Sequence, residues 1–249
     1  MYFWKYWRDG RTRIIGSAIA LPVLFAFVTW IAVRLGNPGV IQKGATPSVS
    51  VAWSAATDVA LATCASIFAL IWGSMLGAAA SLGEDFKEKT VDFLLVRPRR
   101  RRYWAWMGWW AGVCELSVMV ALAVGASFGM VVYLTGHVQM WWPLATILPF
   151  ALGGALAYGL TYFMALVARS GRQGLSYGIG ILFICLLLPT VASHYWNASL
   201  PSIWGFMTTA CRWFTTASGA FPVGALLFWT FIALVFPFAS QLVLERSEV

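Results

Sequence analysis

Most of the side chains that could do chemistry in this sequence stand in one short charged segment. Residues 83–102 read GEDFKEKTVDFLLVRPRRRR, with carboxylates first, an apolar middle and cations at the end. This order suits a helix, because acids stabilise the amino-terminal end of a helix and bases stabilise its carboxyl-terminal end. Phe86, Thr90 and Phe93–Leu94 recur at helical spacing, and Pro98 ends the helix. We therefore predict a short amphipathic helix whose apolar side is free to bind a partner.

Outside that segment, Glu115 is the acidic residue that could take part in chemistry, because it stands inside an apolar stretch. It lies about nine residues into a predicted membrane span, or roughly 13 Å along the helix axis. A carboxylate at that depth costs a few kcal/mol and should face other helices or a wet cavity. Two interpretations stay open: Glu115 contacts a substrate or its pathway, or it is a protonated or hydrogen-bonded carboxyl that locks helices together. Its possible partners are Ser117, Tyr158 and Thr161.

The rest of the sequence carries no recognisable catalytic or cofactor motif. It has no Gly-Lys dipeptide, so a P-loop for ATP is absent. His137 and His194 fall in predicted connections between helices and are interpreted as ordinary loop residues. The cysteines form no Cys-x-x-Cys pair and stand far apart, at Cys64, Cys114, Cys185 and Cys211. We therefore expect no enzyme activity, no catalytic residue, no metal site and no cofactor in this chain.

The composition predicts an exterior that faces lipid. Hydrophobic residues make up 60%, charged residues 10%, and the mean hydropathy is +0.76. A soluble domain carries about 45–50% apolar and about 25% charged residues, so this chain cannot cover a water-facing surface. Its apolar runs are continuous rather than alternating, which excludes a β-barrel. The net charge of +8 belongs to the flanks of the membrane spans and does not indicate a nucleic-acid site.

The elements that must position these residues are membrane-spanning helices. One crossing needs about 20 apolar residues, and stretches without charge mark the candidates. The stretch Leu116–Ala168 is too long for one span and is broken near Thr135–Gln139. The first apolar segment is interpreted as a retained helix, not as a signal peptide. Six spans are predicted in a single transmembrane domain over 1–249, at about 14–33, 57–82, 105–134, 143–168, 174–192 and 222–244.

Two flanking segments are too aromatic for free loops. Residues 1–13 interleave aromatic and basic side chains, which indicates either a short helix in the membrane interface or a simple anchor before the first span. Residues 193–221 are expected to form one or two short helices that re-enter the membrane on the outer side, or an interfacial aromatic hairpin. Glycines are expected to permit close helix packing at Gly153–Gly154, Gly174, Gly178 and Gly180.

The distribution of cations predicts the orientation. Basic residues concentrate on the cytoplasmic side of membrane helices. Of the 17 Lys and Arg residues, only Arg34, Lys43 and Arg212 fall on one set of flanks. The other set includes both termini and residues 83–102, and an even number of spans places both termini on one side. We therefore expect cytoplasmic termini in a multi-pass protein of the cell membrane.

The charged segment resembles a known loop. Glu84-Asp85-Phe86, Thr90-Val91-Asp92-Phe93-Leu94-Leu95, Arg97-Pro98 and Arg101 are similar to the cytoplasmic loop of ABC-2 type transporter permeases, with Lys89 where that family typically has glycine. The segment also has the family's position, between the second and third of six spans. The basic loop at residues 169–172, between spans four and five, fits the same layout.

The resemblance implies that residues 83–101 form a coupling helix on a separate ATPase subunit. Phe86, Thr90, Leu94 and Leu95 would form the docking surface, and Glu84, Asp85, Arg97, Pro98 and Arg101 would shape and orient it. ATP and Mg²⁺ would then bind the partner, not this chain. The alternative is a solvated linker whose cations bind anionic lipid, as an isolated basic run often does. The order of acids, apolar residues and Pro-Arg favours docking.

The resemblance further implies the membrane permease subunit of an ATP-driven transporter, with export expected. Two copies, as a homodimer or a related heterodimer, would form the pathway in the lipid bilayer, and the re-entrant segment would close its outer gate. A secondary transporter or channel is the first alternative; it predicts more intramembrane charge than Glu115 alone and matched discontinuous helices. A membrane assembly factor without transport activity is the second. The substrate class cannot be inferred from these residues.

Overall fold

The computed structural model describes residues 2–36, 52, 62–80, 101–136, 141–196, 200–216 and 223–246. Within these ranges 96% of the residues are helical and none is in a strand. The all-α prediction is therefore confirmed for the part of the chain that the structure describes.

Seven α-helices make up the described ranges. In chain order they are α1 (Tyr2–Gly36), α2 (Ser66–Ala80), α3 (Arg101–Thr135), α4 (Trp141–Val167), α5 (Gly171–Trp196), α6 (Ile203–Thr216) and α7 (Val223–Arg246). A π-helical turn over residues 62–65 extends α2 at its start. Every helix except α6 is long and apolar enough to cross a membrane, which confirms six candidate spans and indicates a multi-pass membrane protein.

Several helices run beyond their predicted bounds. Tyr2–Gly36 is one unbroken helix, so residues 2–13 continue into the first span, whereas a separate interfacial helix was one expectation. At the other end of the bundle α5 runs on to Trp196, four residues beyond its predicted end. Residues 57–61 and 81–82 of the second predicted span lie outside the described residues.

Two helices end at a residue whose backbone is in the left-handed region. Gly136 has a φ of 72°, and its N–H donates to the Val132 carbonyl at 2.7 Å, which ends α3 where the sequence predicts a break. Arg169 has a φ of 51° although it is not a glycine. The N–H groups of Ser170 and Arg169 donate to the carbonyls of Ala165 and Leu166, both at 3.2 Å, so a compact Schellman turn joins α4 to α5.

Helix α4 is the centre of the bundle. It contacts α2, α3, α5, α6 and α7, while α1 packs mainly on α3. Two thirds of its most apolar stretch is buried inside the protein, whereas the corresponding stretches of α5 and α7 are mostly exposed. The outer helices α1, α5 and α7 therefore present the lipid-facing surface that the composition predicts.

Small residues bring α2 and α4 into backbone contact. A Cβ atom at Gly73 would collide with the backbone of Gly154, and one at Gly77 would collide with the Tyr158 carbonyl and with Thr161. Gly73 and Gly77 form a Gly-x-x-x-Gly pattern, which lets two membrane helices approach closely. Later residues of α2 contact later residues of α4, so the two helices run parallel.

Helix α5 packs on α4 by the same means. A Cβ at Gly174 would meet the Ala165 backbone, and one at Gly178 would meet Thr161. Gly153 and Gly154 are likewise covered, so the packing role expected for these four glycines is confirmed. The expectation for Gly180 is wrong, because an added Cβ there would meet no atom within 4 Å.

Gly73→Ala should destabilise the bundle, because the new methyl group has no space against the Gly154 backbone. Overpacking of this kind costs about 1–3 kcal/mol. The measurement is thermal unfolding of the purified protein in detergent, followed by circular dichroism.

Gly125→Ala is the matched control, since Gly125 lies in α3 and a Cβ added there would meet no atom within 4 Å. Alanine is the better helix former by about 1 kcal/mol, so this variant should unfold at the wild-type temperature or above it. Equal unfolding temperatures for the two variants would contradict the proposed backbone contact.

Candidate functional site

The predicted docking segment falls mainly outside the described residues. This applies to Glu84, Asp85, Phe86, Thr90, Leu94, Leu95, Arg97 and Pro98. Arg101 is the first residue of α3, and its side chain is not described. The docking role of these residues stays a prediction, and the structure shows that the segment joins the end of α2 to the start of α3.

Glu115 of α3 forms an ion pair with Arg13 of α1. The Arg13 Nη2 atom lies 3.1 Å from Glu115 Oε2, and Nε donates to Oε1 at 3.4 Å. The two parallel contacts make the pair bidentate, which fixes the plane of the guanidinium against the carboxylate. The Glu115 side chain is 5% exposed and that of Arg13 is 27% exposed.

The neighbouring residues show how α1 and α3 are aligned at this pair. One turn further along both helices, the Ser17 hydroxyl donates to the Arg13 carbonyl at 2.8 Å and its oxygen lies 3.5 Å from the Met119 sulfur. The contacts of Arg13 with Glu115 and of Ser17 with Met119 follow the same direction along both helices, so α1 and α3 run parallel. Gly10 leaves room for the guanidinium, because a Cβ there would lie 2.9 Å from Arg13 Nη2.

The Glu115 side of the ion pair lies beside the middle of the apolar stretch of α4, whereas Arg13 stands three residues after the start of the apolar stretch of α1, Gly10–Leu35. Leu116, the residue after Glu115, packs against Gly154 of α4. Gly154 stands about 12 Å from Thr146 and about 20 Å from Val167, which bound the apolar stretch of α4, at 1.5 Å per residue. Charged residues at such depth are costly and belong to ion pairs, polar cavities or transport pathways.

The hydroxyls of the three partners expected for Glu115 donate to backbone carbonyls. Ser117 donates to the Val113 carbonyl at 2.8 Å, Thr161 to the Ala157 carbonyl at 2.8 Å and Tyr158 to the Gly108 carbonyl at 2.6 Å. The charged partner is Arg13, which was counted among the flanking cations. One signal in the sequence pointed to it: Arg13 is the last charge before one apolar stretch, as Glu115 is before another.

Tyr158 fixes α3 to the central helix beside this site. Its side chain is fully buried, its hydroxyl bonds the Gly108 carbonyl, and its ring covers Gly112, where a Cβ would collide with it. Tyr158 also stacks on Tyr162 of α4 at 5.8 Å between ring centroids. Tyr158 therefore holds α3 at positions one turn and two turns before Glu115.

The short helix α6 lies within the segment that is predicted to re-enter the membrane. Ser202 caps its start, with the Gly205 N–H donating to Ser202 Oγ at 3.2 Å. Ile203, Phe206 and Met207 are buried, and Met207 covers Gly153 of α4. Gly153 stands about 10 Å beyond Thr146 along α4 at 1.5 Å per residue.

No site for a metal ion is visible in the described ranges, where no group of three or more His, Cys, Asp or Glu side chains gathers. His194 is exposed near the end of α5, with its ring 4.9 Å from that of Tyr195. The adjacent Ser193 hydroxyl donates to the Thr190 carbonyl at 2.9 Å. His137 lies outside the described residues.

Comparison of the chain with known protein families, with curated proteins and with solved structures found no match.

Removing one partner of the Arg13–Glu115 pair should destabilise the protein more than removing both. Glu115→Gln or Arg13→Gln leaves an uncompensated charge inside the bundle, which costs about 3 kcal/mol. The double variant Arg13→Met with Glu115→Met should unfold close to the wild type, because a buried pair and an apolar replacement are often equally stable. Thermal unfolding in detergent measures all three.

Arg11→Gln is the control, because Arg11 is exposed on the same helix two residues away. It should unfold at the wild-type temperature, since exposed charges contribute little. Additive losses in the double variant would show that the two side chains are not coupled.

Proposed function

We propose that this chain is the membrane permease subunit of an ATP-driven ABC transporter of the ABC-2 type. Two copies form the translocation pathway, and each binds one ATPase subunit that supplies ATP and Mg²⁺. The protein is a multi-pass protein of the cell membrane with cytoplasmic termini, and the direction of transport is export.

One observation carries this proposal. The segment from Glu84 to Arg101, with its order of acids, aromatic residue, apolar run and Pro-Arg, connects the second and the third of six long apolar helices. The absence of a P-loop from the sequence fits a subunit that depends on a separate motor. An apolar side on a cytosolic segment needs a partner surface, which an ATPase subunit would supply.

The mechanics of α3 support a coupling role for this segment. Arg101 begins α3, a helix of 35 residues with no proline. Its length is about 52 Å, whereas the hydrocarbon core is about 30 Å thick, so α3 is longer than one crossing of that core requires. By contrast, α1, α4, α5 and α7 each contain an internal proline, at Pro22, Pro149, Pro189 and Pro237. A force on the loop would therefore be transmitted into the bundle along one continuous helix.

The Arg13–Glu115 pair supports transfer of that motion to a second helix. A bidentate pair resists sliding of α1 along α3, because a shift of one turn would separate both charges from their partners. When the ATPase subunits close, α3 and α1 would move together against the central helix α4. In this role Glu115 is a positioning residue, and the pathway itself lies between two copies of the chain.

The outer gate of the proposed transporter includes α6. The proposal is supported by the contact of Met207 with Gly153, which lies about 10 Å along α4 from Thr146 at 1.5 Å per residue. The buried side of α6 faces α4, and a movement of α4 would therefore move α6.

A secondary transporter is the second candidate, and the ion pair is the observation that favours it. That class needs intramembrane charge, and the structure brings Arg13 to Glu115 inside the bundle. In that class, opening of the Arg13–Glu115 pair would be the step that couples transport to an ion gradient.

Affinity purification from native membranes should recover a Walker-motif ATPase with the wild-type chain. Glu84→Lys and Leu94→Asp should each weaken that complex by roughly thirtyfold, equal to about 2 kcal/mol, because they place a wrong charge on the docking side. The measurements are the mass of the co-purified protein and its ATP hydrolysis rate.

Lys43→Glu provides the control, since Lys43 lies in the connection between the first and second spans and should not touch the ATPase. Full recovery of the ATPase with both docking variants would refute the proposal. So would ATP hydrolysis by the purified chain alone.

Proteoliposomes that contain only this chain separate the two candidates. A permease without its ATPase should pass no protons down an imposed pH gradient, as followed with an enclosed pH-sensitive dye. Proton flux that Glu115→Gln abolishes and Arg11→Gln preserves would support the secondary transporter instead.

A further inference from the structure

We draw no further inference here: the strongest candidate, the exposed side of α3 at Gly125 and Gly129, is a stripe of small residues, and nothing in the structure shows what covers it.

Discussion

The bundle depends on the backbone contact between α2 and α4. In a bilayer the lipid is as apolar as the helix surfaces, so helices associate through close packing and not through hydrophobic burial. Gly73 and Gly77 remove the side chains that would hold α2 away from α4, and Gly174 and Gly178 do the same for α5. Helix α4 is thereby held on two sides, and the positions of α3, α6 and α7 follow from their contacts with it.

The number and type of the helices could be predicted from the sequence because the hydrocarbon layer imposes a minimum length on charge-free segments. Helix ends were less predictable. An aromatic-basic composition at residues 2–13 fits a helix in the interface and a continuation of α1 equally well, and only the structure distinguishes them. The turn at Arg169 was also beyond the sequence, because a left-handed residue is normally expected at glycine.

Only one member of the candidate ion pair, Glu115, could be predicted from the sequence. The depth of Glu115 follows from its position in an apolar run, but its partner is 102 residues away in the chain. Such a pair is set by the register of two parallel helices, and the register comes from packing that local patterns do not encode. The docking segment, by contrast, is wholly a sequence prediction.

The Schellman turn at Arg169 has a consequence for biogenesis. An arginine in the left-handed region costs about 1–2 kcal/mol, and such strain persists only where surrounding contacts compensate for it. Because only residues 168–170 separate α4 from α5, we expect the two helices to enter the lipid together as a helical hairpin, with the arginine at its tip in the aqueous phase.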